Sequence, residues 1–128
     1  MPETSQSMAG LRCPDARQVA REVLSARGAG ERLVDDVLTV VAELVSNAIR
    51  HAGGVTGFNI RHLPDAVAIE VSDASPVLPR SPGTPVAVPG GFGWLLVNRL
   101  AARTEISAGH GGKTIAAYVP LTVAATGA

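Results

Sequence analysis

The spacing of apolar positions along the chain predicts three helices. In residues 31–52 the apolar side chains recur every three or four positions, which is typical of a helix with one buried face. The same spacing begins at Pro14 and ends before Gly28, because glycine commonly follows the end of a helix. A third, shorter helix is predicted for residues 94–101.

Alternating and continuous apolar runs predict two pairs of strands. Residues 55–63 and 66–73 flank a Pro-Asp turn, and residues 104–107 and 114–119 flank a glycine-rich turn. Strands that follow each other so closely pair in antiparallel fashion, and the helices then cover one face of the sheet. We therefore expect a two-layer α/β sandwich built on a mixed, mostly antiparallel sheet.

The length of 128 residues suits one domain, which we assign to residues 11–121. Residues 1–10 and 122–128 lack an apolar pattern, and we expect disordered tails there. Residues 74–90 contain five prolines, which oppose both helix and sheet. A loop of this length in a compact domain is usually functional or mobile.

Composition narrows the classes of function. Eleven Lys and Arg balance eleven Asp and Glu, and aromatic residues make up 3%, so direct nucleic-acid binding is not expected. No apolar run approaches the roughly 20 residues of a membrane span, and the N-terminus does not resemble a signal peptide. A lone cysteine and three scattered histidines offer no zinc site. We expect a cytoplasmic protein without membrane contact.

Polar residues on the second predicted helix form the first candidate site. Glu43, Asn47 and His51 are spaced i, i+4 and i+8, so they lie along one face beside the apolar stripe. Such polar groups are costly near a core unless something pairs with them. They could bind a ligand, or they could form the solvated edge of the helix with Glu43 and Asn47 hydrogen-bonded to each other.

Two further features could contact a ligand. Gly91-Phe92-Gly93 precedes a predicted helix, where unpaired N–H groups suit a phosphate, although such glycines can also form a simple tight turn. Asp73 ends a strand beside the proline-rich loop. Its carboxylate could accept a hydrogen bond from an exocyclic amine, or it could cap a turn of its own backbone.

The order of these motifs resembles the histidine-kinase-like ATPase superfamily, whose fold is the Bergerat sandwich. The resembling segments are, in order, Glu43 to Ala52 (N box), Asp73 to Pro76 (first glycine box), Gly91 to Val97 (second glycine box) and Gly111 to Thr114 (closing segment). The resemblance spans about residues 13–120. The residue pattern E-L-V-x-N-A-x-R-H-A is most similar to that of the single-domain anti-sigma-factor serine kinases and their actinobacterial ATP-binding relatives.

The resemblance implies roles for the helix. Asn47 would hold Mg²⁺, since a hard cation prefers oxygen ligands. Glu43 would be the general base that accepts the proton of an attacking serine. Arg50 would neutralise phosphate charge, and His51 would line the same pocket. ATP and Mg²⁺ are the implied cofactors.

The resemblance also implies the contacts of the nucleotide. Asp73 would accept the adenine amino hydrogen, with Thr114 supporting it directly or through water. Gly91 and Gly93 would bind phosphate through their backbone N–H groups, and the proline-rich loop at about residues 74–90 would be the lid. The first glycine box departs from the family pattern: Ser75, which can still hydrogen-bond near the base, and Val77 replace two glycines. Trp94 stands where leucine is common.

Two functions remain open from the sequence. The first is an ATP-dependent serine/threonine protein kinase that phosphorylates a serine of an antagonist protein and binds a sigma factor. The second is a non-catalytic switch that binds a partner, with weak nucleotide turnover or none. A homodimer is plausible in either case, because the sheet face without helices must be either polar or covered.

Overall fold

An antiparallel sheet covered by helices forms the fold, in a computed structural model that describes residues 4–6, 10–76, 91–109 and 111–121. The elements in chain order are β1 (Thr4–Gln6), α1 (Cys13–Ala26), α2 (Glu31–Ala52), β2 (Val55–His62), β3 (Ala66–Asp73), α3 (Gly91–Leu100), β4 (Arg103–Gly109) and β5 (Gly112–Pro120). The strand order is β1-β2-β3-β5-β4. The two-layer α/β fold is confirmed. The mixed sheet is not seen: every pairing among the described strands is antiparallel.

The core lies between the sheet and the helices α1 and α2, with α3 packed against α2. On the central strands, alternate residues face the helices: Val67, Ile69 and Val71 of β3 are buried, as are their register partners on β5. α2 contributes a buried stripe with helical periodicity, as its sequence predicts. That stripe consists of Val37, Leu38, Val40, Val41, Leu44, Val45 and Ala48.

The prediction of a disordered tail over residues 1–10 is wrong at three residues. Thr4–Gln6 form β1, which pairs with β2 in the register Ser5 to Asn59. The segment Thr-Ser-Gln carries no apolar alternation that would indicate a strand. The pairing instead relies on backbone groups at the edge of β2, which accept a partner strand of any sequence. The predicted tail at residues 122–128 lies outside the described residues.

The sheet face away from the helices is polar. Glu70 of β3 accepts hydrogen bonds from Asn59 (3.0 Å) and Arg61 (3.1 Å) of β2. Farther along the same face, Tyr118 of β5 donates to Glu105 of β4 at 3.2 Å. These contacts pair polar groups across the strands of this face, whereas Oδ1 of Asn59 is buried there without a partner among the described residues. The homodimer stays a prediction.

None of the helices within the described residues combines the length and apolar character needed to cross a bilayer.

Candidate functional site

A short turn brings the end of α2 and the end of β3 together. α2 ends at Ala52, where Gly53 adopts a left-handed conformation (φ 79°) that suits glycine. The N–H of Gly54 donates to the carbonyl of Ala48 at 2.9 Å. β2 begins immediately afterwards, and its first residue, Val55, pairs with Asp73, the last residue of β3. The last turns of α2 and the carboxylate of Asp73 therefore lie at one end of the sheet.

The same end of the sheet receives β5. β5 begins here, with Lys113 as the register partner of Asp73. The other end of α3 leads to β4, whose first residue Arg103 pairs with Tyr118 at the opposite end of the sheet. Trp94 of α3 is buried, so this helix runs along the core. The helix is about 15 Å long, and we expect its N-terminus to lie toward the Asp73 end.

Glu43 and Asn47 lie on one flank of the buried stripe of α2, and both are half-buried. The opposite flank faces α1, where the Sγ of Cys13 contacts Ser46 Oγ at 3.2 Å. Within the described part of the chain, the side chains of Glu43 and Asn47 have no hydrogen bond or ion pair, with each other or with any other residue. The alternative of a hydrogen-bonded Glu43–Asn47 pair is thus not observed.

Arg50 and His51 occupy the last turn of α2, and both are exposed. Neither has an ion pair or a hydrogen bond to another of the residues that the structure describes. Glu43, Asn47, Arg50 and His51 therefore keep their side-chain donors and acceptors free of the other described residues. Their order along α2 places Arg50 and His51 nearer to the Asp73 end of the sheet than Glu43.

The oxygen donors on α2 fit a magnesium ion that is shared with phosphates. Outside the undescribed segments, no cluster of three or more His, Cys, Asp or Glu side chains could form an all-protein metal site. Mg²⁺ is usually held by only one or two protein oxygens together with phosphate oxygens and waters. The free amide oxygen of Asn47, one turn from the carboxylate of Glu43, offers ligands of this kind.

Asp73 is buried, and its Oδ1 atom is fully engaged. Oδ1 accepts a hydrogen bond from the backbone N–H of Ser75 at 2.9 Å and from the Nζ of Lys113 at 3.0 Å. The first bond is a turn closed by the residue's own side chain, so the turn-capping alternative is confirmed for this oxygen. Lys113 also donates to the carbonyl oxygen of Ser75, again at 3.0 Å.

The second oxygen of Asp73, Oδ2, has no hydrogen bond to any described residue. Within the described chain, Asn59 Oδ1 is the only fully buried side-chain N or O atom without a partner. The whole Asp73 side chain is only 3% exposed. The acceptor predicted to bind an exocyclic amine is thus reduced to one oxygen of the carboxylate.

The closing segment presents Lys113 to Asp73, not Thr114. The hydroxyl of Thr114 is 2.7 Å from that of Ser72, its partner across the strands, and neighbouring residues on a strand face opposite sides of the sheet. Support of Asp73 by Thr114, directly or through water, stays a prediction. Sequence reasoning missed Lys113. A charged residue at an inward position opposite Asp73 was the available signal, since buried charges require partners.

The glycines of the second box lie inside a helix. Gly91 begins α3, so Gly93 belongs to its first turn and not to a preceding loop. The first N–H groups of a helix have no partner within it, and the end carries partial positive charge. The backbone chemistry expected for phosphate binding is therefore retained. The predicted lid at residues 74–90 lies outside the described residues from residue 77 onwards.

The fold and the order of the motifs agree with the match to a family model. The model described as a histidine kinase-like ATPase domain matches residues 10–119, and the chain belongs to this family. Membership implies ATP as the ligand of the site. No curated protein matches the sequence significantly.

Two solved structures show what the chain is similar to. The crystal structure of the RsbU and RsbW domains of Rv1364c from Mycobacterium tuberculosis has 19% identity and a TM-score of 0.68, and the match covers 93% of this chain and 32% of that chain. This chain therefore spans about a third of that relative. The histidine kinase domain of the E. coli osmosensor EnvZ, solved by NMR, has 19% identity and a TM-score of 0.47, with coverage of 100% and 94%. The first of these structures supports the fold.

Proposed function

We propose that the protein is an ATP-dependent serine/threonine protein kinase of the anti-sigma-factor type. It transfers the γ-phosphoryl group of ATP to a serine of an antagonist protein, and it binds a sigma factor. The family membership supports ATP as the phosphoryl donor. The similarity to a structure that contains an RsbW domain, together with the residue pattern of the N box, supports an antagonist protein and a sigma factor as the partners.

The carboxylate of Glu43 supplies the base for the transfer. The hydroxyl oxygen of the partner's serine attacks the γ-phosphorus, and its proton passes to Glu43. The bond between the γ-phosphorus and the β,γ-bridging oxygen breaks, and ADP leaves with that oxygen. Glu43 can accept the proton because no other described side chain occupies its oxygens.

The remaining residues hold the nucleotide. Asp73 accepts a hydrogen of the adenine amine, and the first N–H groups of α3, at Gly91 and Gly93, bind phosphate oxygens. The positive charge of Arg50 partly neutralises the negative charge of the phosphates. Asn47 would hold Mg²⁺, which supplies charge neutralisation for the phosphates when it is bound.

One observation carries this proposal. Glu43 and Asn47 stand one helical turn apart, half-buried and without partners among the described residues, on the helix whose end meets Asp73. Unpaired polar groups beside a core are costly, so a ligand or a substrate is the simplest reason for them.

The test combines nucleotide binding with phosphoryl transfer. The protein is incubated with Mg-ATP and an antagonist protein that carries the acceptor serine, and phosphoserine is measured by mass spectrometry. Glu43→Gln should lower the transfer rate by about 10²-fold or more, the usual range for loss of a general base. It should leave the affinity for ATP unchanged, because we assign Glu43 no contact with the adenine base.

The matched control is Glu22→Gln. Glu22 is exposed on α1, where it accepts a hydrogen bond from Gln18. This variant should transfer phosphate at the unaltered rate. Equal rates for Glu43→Gln and Glu22→Gln would contradict the assigned role of Glu43.

The burial of Asp73 and its pairing with Lys113 favour a second function. Its side chain is only 3% exposed and is paired with Lys113. The site that we propose for the adenine base is therefore partly occupied by the protein's own side chain. This favours a partner-binding switch that turns over little or no nucleotide. Thermal unfolding with Mg-ATP separates the two functions, since ligand at 100 times its Kd stabilises a protein by about 2.7 kcal/mol. No stabilisation at millimolar ATP, together with binding of a sigma factor, would support the switch.

A further inference from the structure

Lys113 is the only lysine of the chain, and it is buried. Its side chain is 6% exposed, and that of its partner Asp73 is 3% exposed. A buried ion pair is often no more stabilising than apolar residues of the same volume, because both charges lose their hydration. Its place at the candidate base site therefore suggests a role in binding.

The pair leaves one acceptor and one donor unused, side by side. Oδ1 of Asp73 accepts two hydrogen bonds, whereas Oδ2 accepts none from the described residues. The ammonium group of Lys113 carries three protons, and two are used, one on Asp73 and one on the carbonyl of Ser75. A ligand that meets this site encounters a carboxylate oxygen next to a charged N–H donor.

We propose that Lys113 is a specificity-determining residue that recognises the base together with Asp73. This inference rests on the proposed binding of ATP at this site. Oδ2 of Asp73 accepts one hydrogen of the exocyclic amine of adenine, and the third proton of Lys113 is donated to a ring nitrogen that flanks this amine, N1 or N7. Guanine carries a carbonyl in place of the amine, and its oxygen would face the carboxylate.

The experiment uses the unaltered protein and measures the Kd of ATP, 1-deaza-ATP, 7-deaza-ATP and GTP by calorimetry in the presence of Mg²⁺. Each deaza analogue keeps the exocyclic amine and lacks one of the two flanking ring nitrogens. One of them should bind about tenfold or more weakly than ATP, as expected for the loss of a charge-assisted hydrogen bond, while the other binds like ATP. GTP should bind more weakly than ATP.

The variant Lys113→Met tests whether the lysine is the donor. It removes the donor, so the two deaza analogues and ATP should bind with similar Kd values, and ATP itself should bind more weakly than to the unaltered protein. Circular dichroism checks that the variant is folded. The analogue series on the unaltered protein stands as a test by itself if the variant does not fold.

Several results would overturn the inference. Equal Kd values for ATP and both analogues, or an equal loss for both analogues, would exclude a donor to one flanking nitrogen. GTP binding as tight as ATP would exclude selection of the exocyclic amine by Asp73. Tighter ATP binding by Lys113→Met would show that the lysine blocks the site. In all these cases ATP still binds, so the proposed function survives. Absence of binding by every nucleotide would overturn both together.

Discussion

The substitution Lys113→Met tests how strongly the fold depends on the buried ion pair. Methionine keeps the length and much of the volume of the side chain but removes the charge and the donors. Asp73 would then retain only the N–H of Ser75 as a partner for Oδ1. The carboxylate stays buried at the end of β3, where its side chain is 3% exposed.

The expected loss of stability is large for a single residue. Removal of one partner of a buried pair leaves an uncompensated charge, which costs about 3–5 kcal/mol. The bond from Ser75 relieves part of this cost, so we expect about 3 kcal/mol. For a domain of this size that loss lowers the Tm by about 10 °C.

Urea unfolding followed by circular dichroism measures the change in the free energy of unfolding. The control is Arg12→Met, which breaks an ion pair with Asp15 whose side chains are 73% and 48% exposed. An exposed pair of this kind contributes about 0–1 kcal/mol. The double variant Asp73→Asn/Lys113→Met should be less destabilised than the sum of its single variants, because no buried charge is left alone.

Two results would refute the reasoning. A loss below about 1 kcal/mol in Lys113→Met would mean that Asp73 is hydrated and that the pair behaves like a surface pair. Strict additivity in the double variant would mean that the two side chains do not interact in solution.

Two further predictions concern the neighbours of this pair. Gly112→Ala should destabilise the fold by more than about 1 kcal/mol, since its φ of 148° disfavours a side chain and its Cβ would overlap the backbone oxygen of Asp73, whereas Gly109→Ala, which meets open space, should be nearly neutral in urea unfolding. Thr114→Val should cost about 1 kcal/mol by loss of the hydrogen bond to Ser72 and should leave the Kd for ATP unchanged in calorimetry. Weaker ATP binding by Thr114→Val would instead support the contact implied by the family resemblance.

The periodic parts of the fold could be predicted from the sequence because their pattern follows from burial. The apolar stripe of residues 31–52 predicted α2 with its observed bounds, and the alternation in residues 66–73 predicted β3. β1 could not be predicted in this way. Thr4–Gln6 are held by the backbone of β2, and backbone pairing leaves no apolar pattern in the sequence.

The sequence predicted the relative placement of two candidate site residues on α2 but not the contacts of Asp73. The spacing of Glu43 and Asn47 placed them on one face of a helix, and the structure has them together on one flank of α2. Which residue of the closing segment meets Asp73 depends on the register between β3 and β5. A shift of one residue exchanges the two faces of a strand, and local sequence patterns do not fix such a shift between strands that are distant in the chain.

The close approach of β5 to Asp73 requires a glycine at position 112. A side chain at Gly112 would collide with the backbone of Asp73, so β5 can approach the end of β3 this closely only with glycine at that position. The register then places Lys113 opposite Asp73, and Thr114 opposite Ser72. On the other side of β3, Val55 pairs with Asp73 directly after the glycine turn that ends α2. Because both neighbours of β3 are fixed at this one residue, the position of the carboxylate is tied to α2 and to the lysine at once.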